Sequence, residues 1–269
     1  MASVRAHALA GIPDVRAGDD LAALIAEAAG DELRDGQVVV VAHKVVSKAE
    51  GAIVDLRTVR PSARAHELAG GHAGEDRRSG DLSGEPPRFA PAKDPRVVQV
   101  VLDQSAEIVR AARDVLICRT HHGFVCANAG VDASNATGAD TVVTLPRDPE
   151  ASARGLRARL RELTGVTVAV LVTDSFGRAW RHGQCDVALG CAGMVALDDW
   201  RGRVDANGLA LRATWLAVAD AAAATADLAR AKDSGEPVVV IDGLERFVTA
   251  EDGPGAAALL RPLEEDLFR

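Results

Sequence analysis

The chain has 269 residues, enough for one large domain or two modest lobes, and its 48% hydrophobic and 26% charged content is the profile of a soluble globular protein. A formal net charge of -8, only 3% aromatic residues and no Tyr exclude a general nucleic-acid binder, which needs a basic footprint and stacking surfaces. Apolar runs are soon interrupted by Asp, Arg or Lys, and the first ten residues lack a continuous apolar segment, so neither a membrane span nor a secretory leader is expected and the cytoplasm is the default.

In chain order, residues 19–30 (DDLAALIAEAAG) predict a short helix, with Asp at its start, apolar residues at helical spacing and a terminal Gly. Residues 36–42 (GQVVVVA) form an unbroken β-branched run that predicts a strand buried on both faces. A helix is expected over 62–70, followed by a long flexible loop over 70–93 rich in Gly, Pro and charge. From Pro95 the pattern fits a helix leading into a strand near 115–118, and residues 121–135 (HHGFVCANAGVDASN) read as a site loop rather than a regular element. A helix over 149–164 precedes a strand over 166–172, and an Ala-rich helix is expected over 209–230. A buried strand over 237–241 and a closing helix over 254–269 complete the chain. Helices and strands interleave without strict βαβ order, so the expected fold class is α+β, or mixed α/β.

The cysteines Cys118, Cys126, Cys185 and Cys191 have neither CxxC spacing nor a His at finger-like distance, which argues against a structural zinc site. They read as small core or pocket-wall residues, with a reactive thiol the weaker alternative for Cys126 and Cys185. Lysine occurs only at Lys44, Lys48, Lys93 and Lys232 in a chain that otherwise uses Arg; codon bias would explain this, but a compact ammonium is not interchangeable with a guanidinium.

Three segments could carry chemistry. In VAHKVVSKAE, Lys44 and Lys48 follow the end of a buried strand, where ligand sites of α/β proteins gather, and two ammoniums there suit phosphate oxygens. A merely solvated strand end is an equal alternative, and no P-loop pattern is present. In NAGVDASN, Gly130 permits close backbone approach, Asp132 offers a hard oxygen for Mg²⁺ or Mn²⁺, and Asn135 offers an amide that can read a nucleotide. Taken alone, an Asx-turn explains that segment better. In TDSFGRAWRHGQ, Asp174 and Ser175 emerge from an apolar strand, the usual place of a metal-binding carboxylate in phosphoryl chemistry, and Arg178, Arg181 and His182 follow as contacts for phosphate or substrate carboxylates. A helix N-cap at Asp174 or Ser175 would leave that basic cluster unexplained. Carboxylates for a divalent metal and cations for phosphate together point to phosphoryl transfer from a nucleotide.

At these residues the sequence resembles the coenzyme F-420 gamma-glutamyl ligase family. The matching strings are VVVVAHKVVSKAEG, DPRVVQVVLDQSAEIVR, GFVCANAGVDASN, LPRDPEASARGLRARL, VAVLVTDSFGRAWRHGQ, RGRVDANGLALRAT and AVADAAAATADL, in the family's order over nearly the whole chain. The resemblance implies a gamma-glutamyl-ligase-type fold, a single ligase domain over residues 1–269 with two intertwined α+β sub-lobes. It also implies a GTP-dependent ligase that adds L-glutamate, and then further γ-linked glutamates, to coenzyme F-420-0. An acyl phosphate would form and GDP and phosphate would leave, with two Mg²⁺ or Mn²⁺ ions, room for a monovalent cation, and a homodimeric assembly.

Carried over residue by residue, Asp132, Asp174 and Ser175 match the family's metal ligands. Gly11, Ile12, Pro13, Asp14, His43, Lys48, Asn135 and Lys232 match its GTP contacts. His43 stands where relatives more often carry a small polar residue, and Arg230-Ala231-Lys232 stands where they commonly read Met-Gly-Lys. The C-terminal LLRPLEEDLFR resembles the junction at which actinobacterial relatives continue into a nitroreductase-like domain, so no such domain and no FMN site are expected here. The competing readings are a GTP- and metal-dependent amide ligase of the same fold acting on another acid, and a non-catalytic GTP-binding regulator. A hydrolase is less favoured, because GxSxG is absent and His121 and His122 lack an HExxH context.

Overall fold

The computed structural model describes residues 3–70, 93–112, 115–133 and 140–266. The expected loop over 70–93 lies almost wholly outside the described residues, as does Asn135. In chain order the first elements are β1 (Arg5–Ala8), α1 (Leu21–Ala29), β2 (Val38–Ala42), α2 (His43–Ala49), β3 (Ile53–Asp55) and α3 (Ala63–Ala69). Then come α4 (Pro95–Asp103), β4 (Ser105–Ala112), β5 (Val115–Thr120), β6 (Val125–Ala127), β7 (Thr141–Val143) and α5 (Pro149–Thr164). The last are β8 (Ala169–Arg178), β9 (Arg181–Ala192), β10 (Leu197–Asp199), β11 (Trp215–Ala217), α6 (Val218–Ala229) and β12 (Val238–Asp242). The fold is α+β, and none of its described helices is long and apolar enough to cross a membrane.

The chain divides into two compact units, one of Met1–Ala52 with Leu145–Arg269, the other of Ile53–Thr144. The first unit is built on a five-stranded sheet in the order β1-β12-β2-β8-β9. Its β2–β8 pairing is parallel, running from Val38↔Ala169 to Ala42↔Thr173, and its other pairings are antiparallel. Val38, Val39, Val40 and Val41 are all 0% exposed because helices cover both faces of the sheet. Val39 and Val41 pack with Leu21 and Ile25 of α1 and Leu160 of α5, while Val38 and Val40 pack with Ala219, Ala222 and Ala226 of α6. Each such valine stabilises the fold by about 1.5–3 kcal/mol, so the sheet centre is the rigid part of this unit.

Local signals fix the helix ends. Asp20 caps α1 by accepting from Ala23 N, and Asp148 caps α5 through Ala151 N with Pro149 in its first turn. Gly165, at φ 74°, closes α5 in the left-handed region. Gly190 of β9 lies so close to α5 that a Cβ there would sit 2.0 Å from the Pro149 carbonyl oxygen.

The second unit has a three-stranded antiparallel sheet, β4-β5-β6, packed against α3 and α4 through Ala65, Leu68, Val98, Val101, Leu116 and Cys118. A small β3–β7 ladder adds Leu56, Val100 and Val142 to its core.

Three expectations are corrected. The helix from Pro95 ends at Asp103, and Ser105–Ala112 is a strand: its residues tolerate a helix, but pairing with β5 decides the matter. Thr173 to Arg178 continues β8, in keeping with the less favoured standing of an N-cap at Asp174 or Ser175. The Ala-rich helix begins at Val218, because Trp215–Ala217 pairs with Leu197–Asp199. The closing segment forms short 3-10 turns at Ala256–Leu259 and Leu263–Glu265 instead of one helix; Pro262 between them lacks the N–H that a continuous helix requires. Within the expected loop 121–135, Val125–Ala127 is a short strand and Asn128–Gly130 a 3-10 turn.

Candidate functional site

The parallel pairing of β2 with β8 ends at Ala42 and Thr173, and from there the two chains diverge. β2 turns directly into α2, bringing His43, Ser47 and Lys48, while β8 runs on into a hairpin with β9, bringing Asp174 and Ser175. Their side chains meet. His43, 1% exposed, places Nε2 3.3 Å from Asp174 Oδ1 and Nδ1 3.4 Å from Ser47 Oγ. A carboxylate oxygen only accepts, so any hydrogen in the Nε2 contact belongs to the imidazole, and the direction of the Ser47 contact follows from the ring's tautomer. Asp174 Oδ1 also accepts from Ser175 N at 2.8 Å, whereas Oδ2 accepts from none of the described residues. The carboxylate is thus held by one oxygen and presents the other.

Ser175 faces Asp186 across the β8–β9 ladder. Its hydroxyl donates to Asp186 Oδ1 at 2.6 Å and accepts from Lys232 Nζ at 2.6 Å. Asp186 is 1% exposed; its Oδ2 accepts from Thr173 Oγ1 at 3.1 Å and from the Arg230 guanidinium. Burial alone would raise the Asp186 carboxyl, but the Ser175 hydroxyl and the charges of Arg230 and Lys232 outweigh it and hold the group below the usual aspartate range. Lys232 also donates to Asp227 Oδ1 at 2.7 Å. Arg230 is further anchored through the Pro237 carbonyl at 3.0 Å.

Of the residues expected to approach a nucleotide, Asp14 and Lys48 are joined by a 2.8 Å ion pair, and the Lys48 ammonium holds the Asp14 carboxyl below its ordinary value. Gly11, at φ 86°, adopts the left-handed conformation that lets this segment turn. Arg178, Arg181 and His182 lie at the exposed tip of the β8–β9 hairpin, not on successive helical turns; Arg178 donates to the His182 carbonyl at 2.6 Å. Asp132 belongs to the second unit, where its backbone exchanges both hydrogen bonds with Val143. It follows Asn128, Ala129 and Gly130, all with positive φ (52°, 52° and 72°), a strained run of the kind found at ligand-binding loops. Asn128 Oδ1 accepts there from Lys93 Nζ at 2.9 Å.

Sequence reasoning missed Asp186 and the part played by Arg230. The hairpin signal for Asp186 is blurred: an unbroken register from the Arg178–Arg181 turn would set Ser175 opposite Gln184, and the irregularity between Gly177 and Arg178 brings it to Asp186 instead. Arg230 carried no such signal, being 44 positions from its partner.

Among the described residues no three His, Cys, Asp or Glu side chains stand together as a protein-only metal cage. A carboxylate with an open oxygen beside a hydroxyl fits a different arrangement. Mg²⁺ and Mn²⁺ bind through one or two protein oxygens, completed by water and by the phosphates of a substrate. Lys232, on the Ser175 hydroxyl, is a cation beside that carboxylate–hydroxyl pair, while Lys48 of α2 is paired with Asp14.

A mixed fold whose parallel pairing leads into a carboxylate–hydroxyl–ammonium array defines a candidate enzyme site, and comparison with known proteins identifies the family. The family model described as F420-0:Gamma-glutamyl ligase matches residues 11–243. A Methanopyrus kandleri protein named coenzyme F420:L-glutamate ligase is 45% identical over 257 residues, covering 95% of this chain and 93% of its own. Proteins of the same name from Methanothermobacter thermautotrophicus and Halobacterium salinarum are 42% and 43% identical, each covering 96% of this chain and 96% and 97% of their own. The chain belongs to the F420-0:gamma-glutamyl ligase family, and it is a ligase.

Proposed function

We propose that this enzyme joins L-glutamate to the side-chain carboxylate of coenzyme F420-0, driven by GTP. The family supplies the acceptor and the amino acid. The observation that carries the rest is the array of Asp174, Ser175, Lys232 and His43, in which one carboxylate oxygen is fixed and the other left open beside an ammonium.

In this reading the acceptor carboxylate attacks the γ-phosphorus of GTP and the bond to the β-phosphate oxygen breaks, releasing GDP. The glutamate amine then attacks the acyl carbon of the acyl phosphate, inorganic phosphate leaves, and the nitrogen gives up its proton. Attacking carboxylate and triphosphate are both anionic, so a bound Mg²⁺ or Mn²⁺ supplies charge neutralisation where they meet. Asp174 and Ser175 would hold that ion, His43 would orient the Asp174 carboxylate, and Lys48 and Lys232 would meet phosphate oxygens as point charges. The resemblance adds Asp132 to the metal ligands and Gly11, Ile12, Pro13, Asp14 and Asn135 to the nucleotide contacts. Arg178, Arg181 and His182 are exposed cations suited to a substrate carboxylate or phosphate.

The test is incubation with GTP, Mn²⁺, L-glutamate and F420-0, followed by chromatography for GDP and mass spectrometry for the glutamylated coenzyme. Stoichiometric GDP and glutamylated product are expected, and Asp174→Asn should abolish both while leaving thermal unfolding unchanged. GTP turnover without glutamylation would give the enzyme a different acceptor; normal turnover by the Asp174 variant would remove the metal assignment.

A further inference from the structure

Asp186 is the most buried carboxylate around the site, and the reaction as drawn does not use it. Taking a carboxylate out of water is costly unless every oxygen is satisfied, so its retention at 1% exposure calls for a reason. Four groups converge on it: the hydroxyls of Thr173 and Ser175, the Arg230 guanidinium and, at 3.6 Å, the Lys232 ammonium. Thr173 and Arg230 also hold each other at 3.2 Å. Two of the four therefore fix Asp186, and the other two are the groups that face the proposed metal and phosphates.

We infer that Asp186 is a positioning residue, setting the orientation of the Ser175 hydroxyl and the place of the Lys232 ammonium. The hydrogen-bond arithmetic supports this. A serine hydroxyl has one donor and two acceptor lone pairs. Asp186 Oδ1 takes the donor at 2.6 Å and Lys232 takes one lone pair at 2.6 Å, leaving one lone pair for a cation. Without the carboxylate the hydroxyl rotates, and its hydrogen can turn toward the metal. The same oxygen lies 3.6 Å from Lys232 Nζ, so one buried charge coordinates a metal ligand from β8 with an ammonium from the segment after α6. Arg230 pairs with the other carboxylate oxygen and so holds Asp186 in place, which gives the residue before Ala231 a definite task in this chain.

This inference rests on reading Asp174 and Ser175 as metal ligands, and the experiment separates the two. Mn²⁺ binding is titrated by the loss of the free-ion electron paramagnetic resonance signal, with and without a non-hydrolysable GTP analogue, for the full chain and for Asp186→Glu, Asp186→Asn and Asp174→Asn. Asp186→Glu keeps Arg230 paired while displacing the carboxylate by one methylene. A folded Asp186→Glu or Asp186→Asn should bind Mn²⁺ roughly 10–100-fold more weakly, the usual cost of losing an outer-shell partner. It should also raise the KM for GTP, because Lys232 loses the Asp186 charge and the fixed Ser175 hydroxyl and keeps only Asp227 as a carboxylate partner. Wild-type Mn²⁺ affinity in either folded variant, with Asp174→Asn losing the ion, would overturn the positioning role and leave the metal reading intact. Undiminished binding by Asp174→Asn would sink the metal reading itself. If neither Asp186 variant folds, the carboxylate is structural and the inference falls.

Discussion

His43 Nε2 stands 3.3 Å from Asp174 Oδ1, although His43 follows β2, Asp174 lies within β8 and the two are 131 positions apart, since Ala42 and Thr173 are neighbours in the parallel pairing. The contact is buried on the His43 side, at 2% side-chain exposure, and half-open on the Asp174 side, at 18%. An imidazole so enclosed acts on the carboxylate rather than on a ligand in solvent. His43→Leu should therefore keep the fold and lose roughly 10–100-fold in ligase activity, the range for removing a partner of a metal-binding carboxylate. His43→Gln, whose amide can still donate, should retain more. Steady-state assays of both variants check this, and equal losses would mean that the polar contact with Asp174 is not what matters.

Lys48 answers Asp14 at 2.8 Å from the last turn of α2, with its side chain 13% exposed against 60% for Asp14. A nucleotide phosphate arriving there would compete with Asp14 for the same ammonium. Lys48→Met should raise the KM for GTP at least about tenfold, as expected when a phosphate loses its charge-assisted partner, with a smaller change in kcat. Asp14→Asn should leave the ammonium available and change KM far less. Comparable effects in both variants would show that the pair serves the protein's own loop rather than the nucleotide.

The parts of this architecture that could be read in advance are those where one physical term dominates. VVVV at 38–41 and AVLV at 169–172 are unbroken because both sheet faces are covered, and α1 and α5 announce themselves through Asp caps and terminal glycines. The outer half of β8 did not, because Asp174, Ser175 and Gly177 have low strand preference and only the partner strand β9 holds them extended. Ser105–Ala112 was obscured in the same way: irregularities at 105/107 and 108/110 break the period of two that marks a strand. At the site, the sequence singled out Asp174, Ser175, Lys48 and Lys232 as candidates, and the structure sets Asp174 beside His43 and Ser175 beside Lys232. The Asp186–Arg230 pair was not singled out, because a contact between a strand and a post-helix segment has no signature in local spacing.

Asp220, half-buried in the first turn of α6, accepts from Ala188 N at 2.9 Å. Burial raises its carboxyl above the ordinary aspartate value, and the amide bond offsets this only in part. A carboxyl raised on folding binds its proton more tightly in the folded state, so its contribution to stability is present in acid and is lost as pH rises through the raised value. At neutral pH the ionised group is a cost. Asp220→Asn removes the charge and keeps an oxygen for Ala188 N. Thermal unfolding of the variant should therefore come at higher temperature than wild type at neutral pH, with the gap closing below the ordinary aspartate range. A gap that widened in acid would reverse the assignment.

Arg157 of α5 is the side chain on which the far edge of the first unit depends. Its guanidinium donates from Nε to the Val168 carbonyl at 2.9 Å, and from its terminal nitrogens to Asp252 at 2.6 Å and to the carbonyls of Thr249 and Ala250 at 2.7 and 3.0 Å. It also fills the space above Gly193, where a Cβ would come within 2.2 Å of Nε. The planar fork thus ties the strand leading into β8 to the segment after Phe247, and no other side chain reproduces that geometry. Arg157→Lys retains the charge but cannot reach all four acceptors, and Arg157→Leu leaves them without their buried donor. Urea unfolding should show a loss of about 3 kcal/mol for Arg157→Leu and a smaller loss for Arg157→Lys. Because Arg157 bonds Val168, just before β8 begins, and Asp174 lies roughly 20 Å further along the same strand, activity per folded molecule should be unchanged well below the unfolding midpoint. A folded Arg157→Leu protein with full stability would show that water satisfies those carbonyls as well as the guanidinium does.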